Sequence, residues 1–151
     1  MKIVFALGSN LGEREENLEA AVARLNEIVE ITHLSTFYET DPVGGPDQPD
    51  YINAVAIAEG EVDPQQLILD VLKIESDLGR VREVKWGARV IDIDIISIDD
   101  LVIASPRLTL PHPLAHTRAF VLEPWFEIDP HAEIPGKGAI ADLLASLEDN
   151  E

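Results

Sequence analysis

Asp92 and Asp94 stand two residues apart in the run Val90-Ile-Asp-Ile-Asp-Ile-Ile-Ser-Ile98. If the run is a strand, its period of two puts both carboxylates on one face, roughly 6.5–7 Å apart. Ile91, Ile93 and Ile95 then take the other face, while Ile96 and Ile98 continue the aspartate face. Two anions beside core-forming positions are costly unless a cation compensates them. A hard, oxygen-only donor pair suits Mg²⁺, which keeps several waters and is commonly held by one or two carboxylates together with substrate phosphates. The competing reading is a strand whose solvated face carries Asp, as in many antiparallel sheets.

The segment just before favours the metal reading. Arg80, Arg82, Lys85 and Arg89 place four of the chain's 11 basic residues within ten positions, beside Trp86 and Gly87. Guanidinium forks match phosphate oxygens bidentately. A solvated loop whose Arg pair with nearby acids is the plain alternative. A basic loop running straight into a paired-carboxylate strand is nevertheless what a metal–nucleotide site needs, because Mg²⁺ and Arg together neutralise a polyphosphate. The expectation is a site of the phosphoryl-transfer type.

Other candidates are weaker singly. Gly8-Ser-Asn-Leu-Gly12 resembles a strand-to-helix phosphate loop but lacks the Lys of a Walker motif and the third Gly of a dinucleotide fingerprint, so a tight turn is favoured. His112 and His116 are four apart, but Pro111 and Pro113 disfavour the helix that a joint metal site would require. Tyr51 and Phe120 read as core aromatics on spacing alone. Asn53 is unusual on an apolar strand because a buried amide needs partners.

The elements that must hold these residues follow from periodicity. Residues 2–7 predict a strand. Leu18, Ala21, Val22, Leu25, Ile28 and Val29 form one stripe of a helix over about 15–30. Residues 31–38 and 51–58 are β-branched and aromatic and read as strands. The three Pro and two Gly between 40 and 49 predict an irregular, mobile loop. Asp63-Pro64 predicts the start of a helix reaching Gly79, with Ile68, Val71, Leu72 and Leu78 inward and Glu75 in the same stripe. After the strand at 90–98 come a short strand near 101–103, a Pro-punctuated stretch at 106–113, and helices at about 114–126 and 139–147. The order β-α-β-β-α-β is that of a ferredoxin-like α+β fold: an antiparallel sheet with helices packed on it and a C-terminal helical extension. A doubly wound sheet would need a helix between the second and third strands.

Composition bounds the class. The chain has 151 residues, 29 acids against 11 bases, a formal charge of -18 and no Cys. That balance disfavours nucleic acid or a membrane surface as partner of the whole molecule, and the lack of Cys removes a disulfide framework or thiolate metal site. The length predicts a single domain over 1–151, able to bury roughly 68–70% of its unfolded surface. The opening apolar run is too short for a signal peptide or a membrane span, and the expected compartment is the cytoplasm.

Taken together, Phe37-Tyr-Glu-Thr-Asp-Pro-Val-Gly44, Asp47-Gln-Pro-Asp-Tyr-Ile-Asn53, Leu78-Gly-Arg-Val-Arg82, Trp86-Gly-Ala-Arg-Val-Ile-Asp-Ile-Asp94 and Leu110-Pro-His112 with Arg118-Ala-Phe120 closely resemble the 6-hydroxymethyl-7,8-dihydropterin pyrophosphokinase family over about residues 3–126. The resemblance implies transfer of the pyrophosphoryl group of ATP to the pterin hydroxymethyl group, with release of AMP, in folate biosynthesis. It implies that Asp92 and Asp94 hold two Mg²⁺ ions bound with ATP, and that Arg80 and Arg89 are catalytic contacts to the phosphates. Trp86 would close over the site. Glu75, Arg82, Arg107, His112 and Arg118 match positions associated with ATP, the last two with its phosphates. Tyr51 and Phe120 would sandwich the pterin, reversing their reading as core, and Asn53 with the backbone around Thr40, Asp41 and Val43 would read its edge. A monomer is expected on the same ground.

The sequence departs from the family pattern at Lys85, where Arg is usual, at Ala88 and Pro113, where Pro and Tyr are frequent, and in a basic loop one residue shorter. Two other readings use the same acids and arginines: a Mg²⁺-dependent nucleotide hydrolase without a pterin slot, and a non-catalytic ferredoxin-like module that binds a nucleotide.

Overall fold

The computed structural model describes residues 1–40, 50–79 and 90–149. Their elements run β1 (Lys2–Ser9), α1 (Arg14–Leu25), β2 (Glu30–Leu34), β3 (Tyr38–Thr40), β4 (Tyr51–Glu59), α2 (Pro64–Asp77), β5 (Asp92–Ile98), β6 (Ile103–Ala104), β7 (Thr109–Leu110), a 3-10 turn (Ala115–Thr117), α3 (Ala119–Ile128), β8 (Glu133–Ile134), β9 (Gly138–Ala139) and α4 (Ile140–Asp149). The main sheet has the order β2-β4-β1-β5, with β3 also pairing β4, and every pairing is antiparallel. This is the expected split βαββαβ arrangement.

β1 is buried from Ile3 to Ser9 because both faces of this central strand are covered. Alternate residues feed two cores. Ile3, Phe5 and Leu7 pack with Leu18, Ala21 and Leu25 of α1 and Leu67, Val71 and Ile74 of α2. Val4 and Ala6 pack on the opposite side with Val121, Leu122 and Trp125 of α3 and Ile140 of α4. Each fully buried aliphatic or aromatic side chain of this kind contributes about 1.5–3 kcal/mol relative to exposure. The C-terminal helices therefore form the second covering layer.

Local boundaries depart from the periodic reading in four places. The first helix stops at Leu25 with Asn26 as its cap; the Asn26 side chain accepts the Ile31 N–H at 2.9 Å, so Ile28 and Val29 lie in a turn. The second starts as expected, with Asp63 accepting from Gln65 N–H at 3.1 Å and Pro64 in the first turn, but its buried stripe is Leu67, Val71, Ile74 and Glu75, while Leu72 is exposed. Residues 31–38 do not form one strand: β2 and β3 share the same edge of β4, and Ser35 between them exchanges hydrogen bonds with the Val55 backbone. The helix expected at 114–126 is divided by Arg118, which is extended at φ -113° and ψ 105° and separates the 3-10 turn from α3.

β5 carries a further correction. Its register with β1 runs Asp92–Gly8, Ile93–Leu7, Asp94–Ala6 and Ile95–Phe5, then skips to Ser97–Val4 and Ile98–Ile3. Ile96 is the extra residue of a bulge. It packs on the aspartate face, but Ile98 is returned to the face of Ile91, Ile93 and Ile95, contrary to strict alternation.

Candidate active site

Directly opposed residues of antiparallel strands share a face, and two such rows cross the end of the sheet that α3 and α4 leave open. One is Asn53–Gly8–Asp92 across β4, β1 and β5; the next is Val55–Ala6–Asp94. Tyr51 and Thr40 stand opposite one another beyond the first row. Above this floor lies a slot of about 200 Å³ lined by Thr40, Tyr51, Asn53, Asp92, Asp94, Arg118 and Phe120, with Ala6, Leu7 and Gly8 beneath. Arg118 and Phe120 enter it because the chain turns into α3 there, and the Arg118 guanidinium carbon lies 5.4 Å from the centre of the Phe120 ring. That is a cation–π contact.

Asn53 is 6% exposed and its Nδ2 donates to Thr40 Oγ1. The buried amide thus has the partner it requires, and its Oδ1 remains as an acceptor on the slot side of Gly8. In the turn after β1, Gly12 takes the left-handed φ of +73°, and Asn17 Nδ2 donates to Leu11 O at 2.8 Å and Ser9 Oγ at 3.2 Å. The turn favoured over 8–12 is thus shorter than expected: Gly8 and Ser9 still belong to β1, and the chain bends only after them, where Gly12 supplies the left-handed conformation.

A second cavity, of about 270 Å³, lies along the outer edge of β5. Ile68, Ile93, Asp94, Ile95, Arg107, Thr109 and His112 line it, so Asp94 belongs to both spaces. This edge is held from outside. The Ile93 N–H donates to Glu75 Oε2 at 2.8 Å, and the His112 N–H donates to Ile96 O at 2.8 Å. The His112 ring accepts the Leu114 N–H at its Nδ1 (3.2 Å), which assigns the proton of the neutral ring to Nε2, 4.0 Å from Asp94 Oδ2. Burial holds the imidazole below its ordinary pKa; the Asp94 charge opposes this and the Arg118 charge adds to it.

The structure thus gathers Asp92, Asp94, Thr40, Tyr51, Asn53 and Phe120 at one slot and Arg107 and His112 at the adjoining cavity. Arg118 lines the slot rather than the outer cavity. Glu75 lines neither cavity; it is 5% exposed, with its carboxylate on the β5 backbone. His116 does not join His112 in a cavity lining. Asp41, Val43, Arg80, Arg82, Trp86 and Arg89 lie outside the described residues, as do Lys85 and Ala88. Gly8 as part of the floor and the approach of His112 to Asp94 were not foreseen. The first needed the strand register, the second the fold of residues 105–113.

The donor chemistry fits Mg²⁺. Asp92 and Asp94 offer only oxygen, and the Asp94 side chain is 45% exposed towards the cavities. Among the described residues no group of three or more His, Cys, Asp or Glu is arranged to hold a metal. The pair alone would leave most of a cation's shell to water and to a ligand's oxygens, which is the habit of Mg²⁺ bound with phosphates.

Residues 4–130 match the family profile described as 7,8-dihydro-6-hydroxymethylpterin-pyrophosphokinase. The chain is 41% identical over 149 residues to a Haemophilus influenzae protein named 2-amino-4-hydroxy-6-hydroxymethyldihydropteridine pyrophosphokinase, covering 97% of this chain and 92% of that one. It is 41% identical over 139 residues to the Bacillus subtilis protein of the same name, covering 91% and 83% respectively. Among solved structures, the Plasmodium falciparum HPPK-DHPS wild type superposes with a TM-score of 0.75 at 15% identity, over 96% of this chain and 44% of that one. That likeness concerns the fold, and this chain spans less than half of that longer protein.

Proposed function

The chain belongs to the 7,8-dihydro-6-hydroxymethylpterin-pyrophosphokinase family, and from that membership we propose that the slot takes the pterin and the outer cavity takes ATP. The reaction is transfer of the ATP pyrophosphoryl group to the hydroxymethyl oxygen of 6-hydroxymethyl-7,8-dihydropterin, giving the pterin diphosphate and AMP, a step of folate biosynthesis. The observation that carries the assignment of the two spaces is Asp94, which opens onto both. An acceptor in one and a phosphate donor in the other meet at its carboxylate.

Tyr51 and Phe120 offer flat apolar faces to a heterocycle, and the Asn53 amide offers its edge an acceptor held in place by Thr40. Arg118 brings a fixed positive charge to the slot side of the aspartates. Arg107 and the Nε2–H of His112 face the nucleotide side, where they donate to anionic oxygens. Asp92 and Asp94 would hold Mg²⁺, two ions by our reading, and bound Mg²⁺ neutralises the polyphosphate and orients it. With charge offset in this way the protein's remaining task is positioning, since phosphoryl transfer asks little covalent work of side chains. Arg80, Arg82, Trp86 and Arg89, with the backbone of Asp41 and Val43, complete the proposed set from their sequence positions alone.

We propose a monomer on the ground of the family resemblance. Among the described residues no helix is long and apolar enough to cross a membrane. With ATP and a small soluble pterin as substrates, the cytoplasm is the proposed place of action. The test is AMP release from ATP and Mg²⁺ with and without the pterin, on the wild type and Asp94→Ala. We expect AMP only with pterin present, and a fall of at least about 100-fold in the variant, the scale of losing one preorganised electrostatic contact. Pterin-independent AMP would instead mark a hydrolase, and no AMP at all a binding module.

A further inference from the structure

Gly8 occupies the middle of the slot's floor, between Asn53 on one neighbouring strand and Asp92 on the other. It lies inside β1, paired on both sides, so no turn asks for glycine there. What asks for it is space. A β-carbon at Gly8 would stand 3.0 Å from Asn53 Oδ1, so the amide would have to give by a few tenths of an ångström, while Tyr51 Cδ1 at 3.4 Å would be in ordinary contact. Asn53 is not free to retreat at no cost. Asn53 is buried and tied through Nδ2 to Thr40 on β3, so any rotation of the amide that clears Gly8 disturbs that bond and re-aims Oδ1.

We propose that Gly8 is a specificity-determining residue for the acceptor substrate: the missing side chain sets how deep a flat bicyclic heterocycle lies on the sheet and keeps Asn53 Oδ1 aimed at its donor edge. This rests on the slot being the pterin site. The outer cavity, which Gly8 does not line, is left unaffected.

The test is calorimetric binding of 6-hydroxymethylpterin and, separately, of a non-hydrolysable ATP analogue with Mg²⁺, to the wild type, Gly8→Ala, Asn53→Ser and the double variant. Crowding of this kind typically costs about 1–3 kcal/mol, which as an affinity loss is roughly 5- to 150-fold for the pterin in Gly8→Ala. The nucleotide constant should stay within about twofold, since it is set at a separate site. In the Asn53→Ser background, where the shortened side chain clears the 3.0 Å contact, Gly8→Ala should add little further loss. Unchanged pterin affinity in Gly8→Ala, equal loss of both ligands, or fully additive losses in the double variant would each overturn the proposal. If Gly8→Ala proves too unstable to titrate, a large further loss of pterin affinity on adding it to Asn53→Ser still overturns the proposal. A wild type that binds nucleotide but no pterin would overturn the slot assignment itself, whatever Gly8 does.

Discussion

The Glu75 carboxylate on α2 accepts the backbone N–H of Ile93 at 2.8 Å, and Ile93 is the residue between Asp92 and Asp94. β5 is the last strand of the sheet, so this N–H would otherwise be an unpaired edge donor. The contact fixes the strand at the point from which both carboxylates project. Glu75→Ala leaves that buried donor without this partner, at a cost of about 1–3 kcal/mol, and Glu75→Gln keeps an acceptor. We expect Glu75→Ala to raise the Mg²⁺ concentration needed for half-maximal turnover by about 10- to 100-fold, as loss of outer-sphere support does elsewhere. Glu75→Gln should recover most of it. A higher KM for ATP with an unchanged Mg²⁺ requirement would show instead that Glu75 serves the nucleotide directly.

Tyr51 and Phe120 should separate in kinetics. Stacking of a base on an aromatic ring is worth roughly 1–3 kcal/mol by alanine substitution, so either variant should weaken pterin binding by about tenfold or more. Phe120 also supports the Arg118 guanidinium at 5.4 Å. Phe120→Ala should therefore lower kcat as well as raise the pterin KM, whereas Tyr51→Ala should act chiefly on KM. Steady-state kinetics in pterin at saturating ATP distinguish the two.

Glu127 on α3 clamps the junction between β2 and β3. Its carboxylate accepts from Thr36 N–H (3.0 Å), Thr36 Oγ1 (2.7 Å) and Tyr38 OH (2.7 Å). The Thr36 side-chain bond is the main reason its pKa falls below the ordinary 4.5, and the bond to Glu127 is the main reason that of Tyr38 rises above 10.0. A depressed carboxylate stabilises the fold above its unfolded pKa, and that stability is lost as pH falls through the folded value. A raised phenol stabilises the fold below its unfolded pKa, and that contribution is lost as pH rises through its folded value. The clamp therefore works from mildly acidic to mildly alkaline pH. Melting temperature followed from about pH 7 down to about pH 3 should fall less steeply in Glu127→Gln than in the wild type, because the group whose protonation weakens the fold is gone. The effect should be small, since Glu127 is exposed and solvent screens it. Parallel curves would remove Glu127 from the account.

The surplus of 29 acids over 11 bases sets a long-range field that opposes an anionic substrate. Arg107 and Arg118 at the cavities act only at close range. Salt shortens the reach of the field to about 8–10 Å near physiological ionic strength. The association rate of a fluorescent ATP analogue, at fixed free Mg²⁺, should therefore rise as salt is raised from low values. A rate that is flat or falling with moderate salt would refute this.

Much of the framework was legible because it follows from local pattern. The apolar run at 2–7, the Asp63-Pro64 helix start and the β-branched runs at 51–58 and 90–98 each specify an element through near neighbours in sequence, and the order of elements then selects the split βαββαβ arrangement. The shared face of Asp92 and Asp94 follows from strand period alone. The boundaries that failed were those set by contacts distant in sequence. Ser35 breaks the 31–38 run by bonding Val55 twenty positions away, and α2 buries Leu67 and Ile74 rather than Ile68 and Leu72 because the core it packs on is built by β1 and β5, while Glu75 is inward as expected.

The sequence by itself thus determined the family, the paired carboxylates and the identity of most residues around them, since residue type and short spacing carry that information. The tertiary structure decided what those residues do to one another. The register of three strands laid Gly8 between Asn53 and Asp92, and the bulge at Ile96 sent Ile98 to the opposite core. The stretch around Ile103–Pro113 carried His112 to within 4.0 Å of Asp94, so that one carboxylate serves two cavities. None of these can be read from spacing, because each is a relation between strands or loops whose pairing is settled only when the whole sheet buries both of its faces.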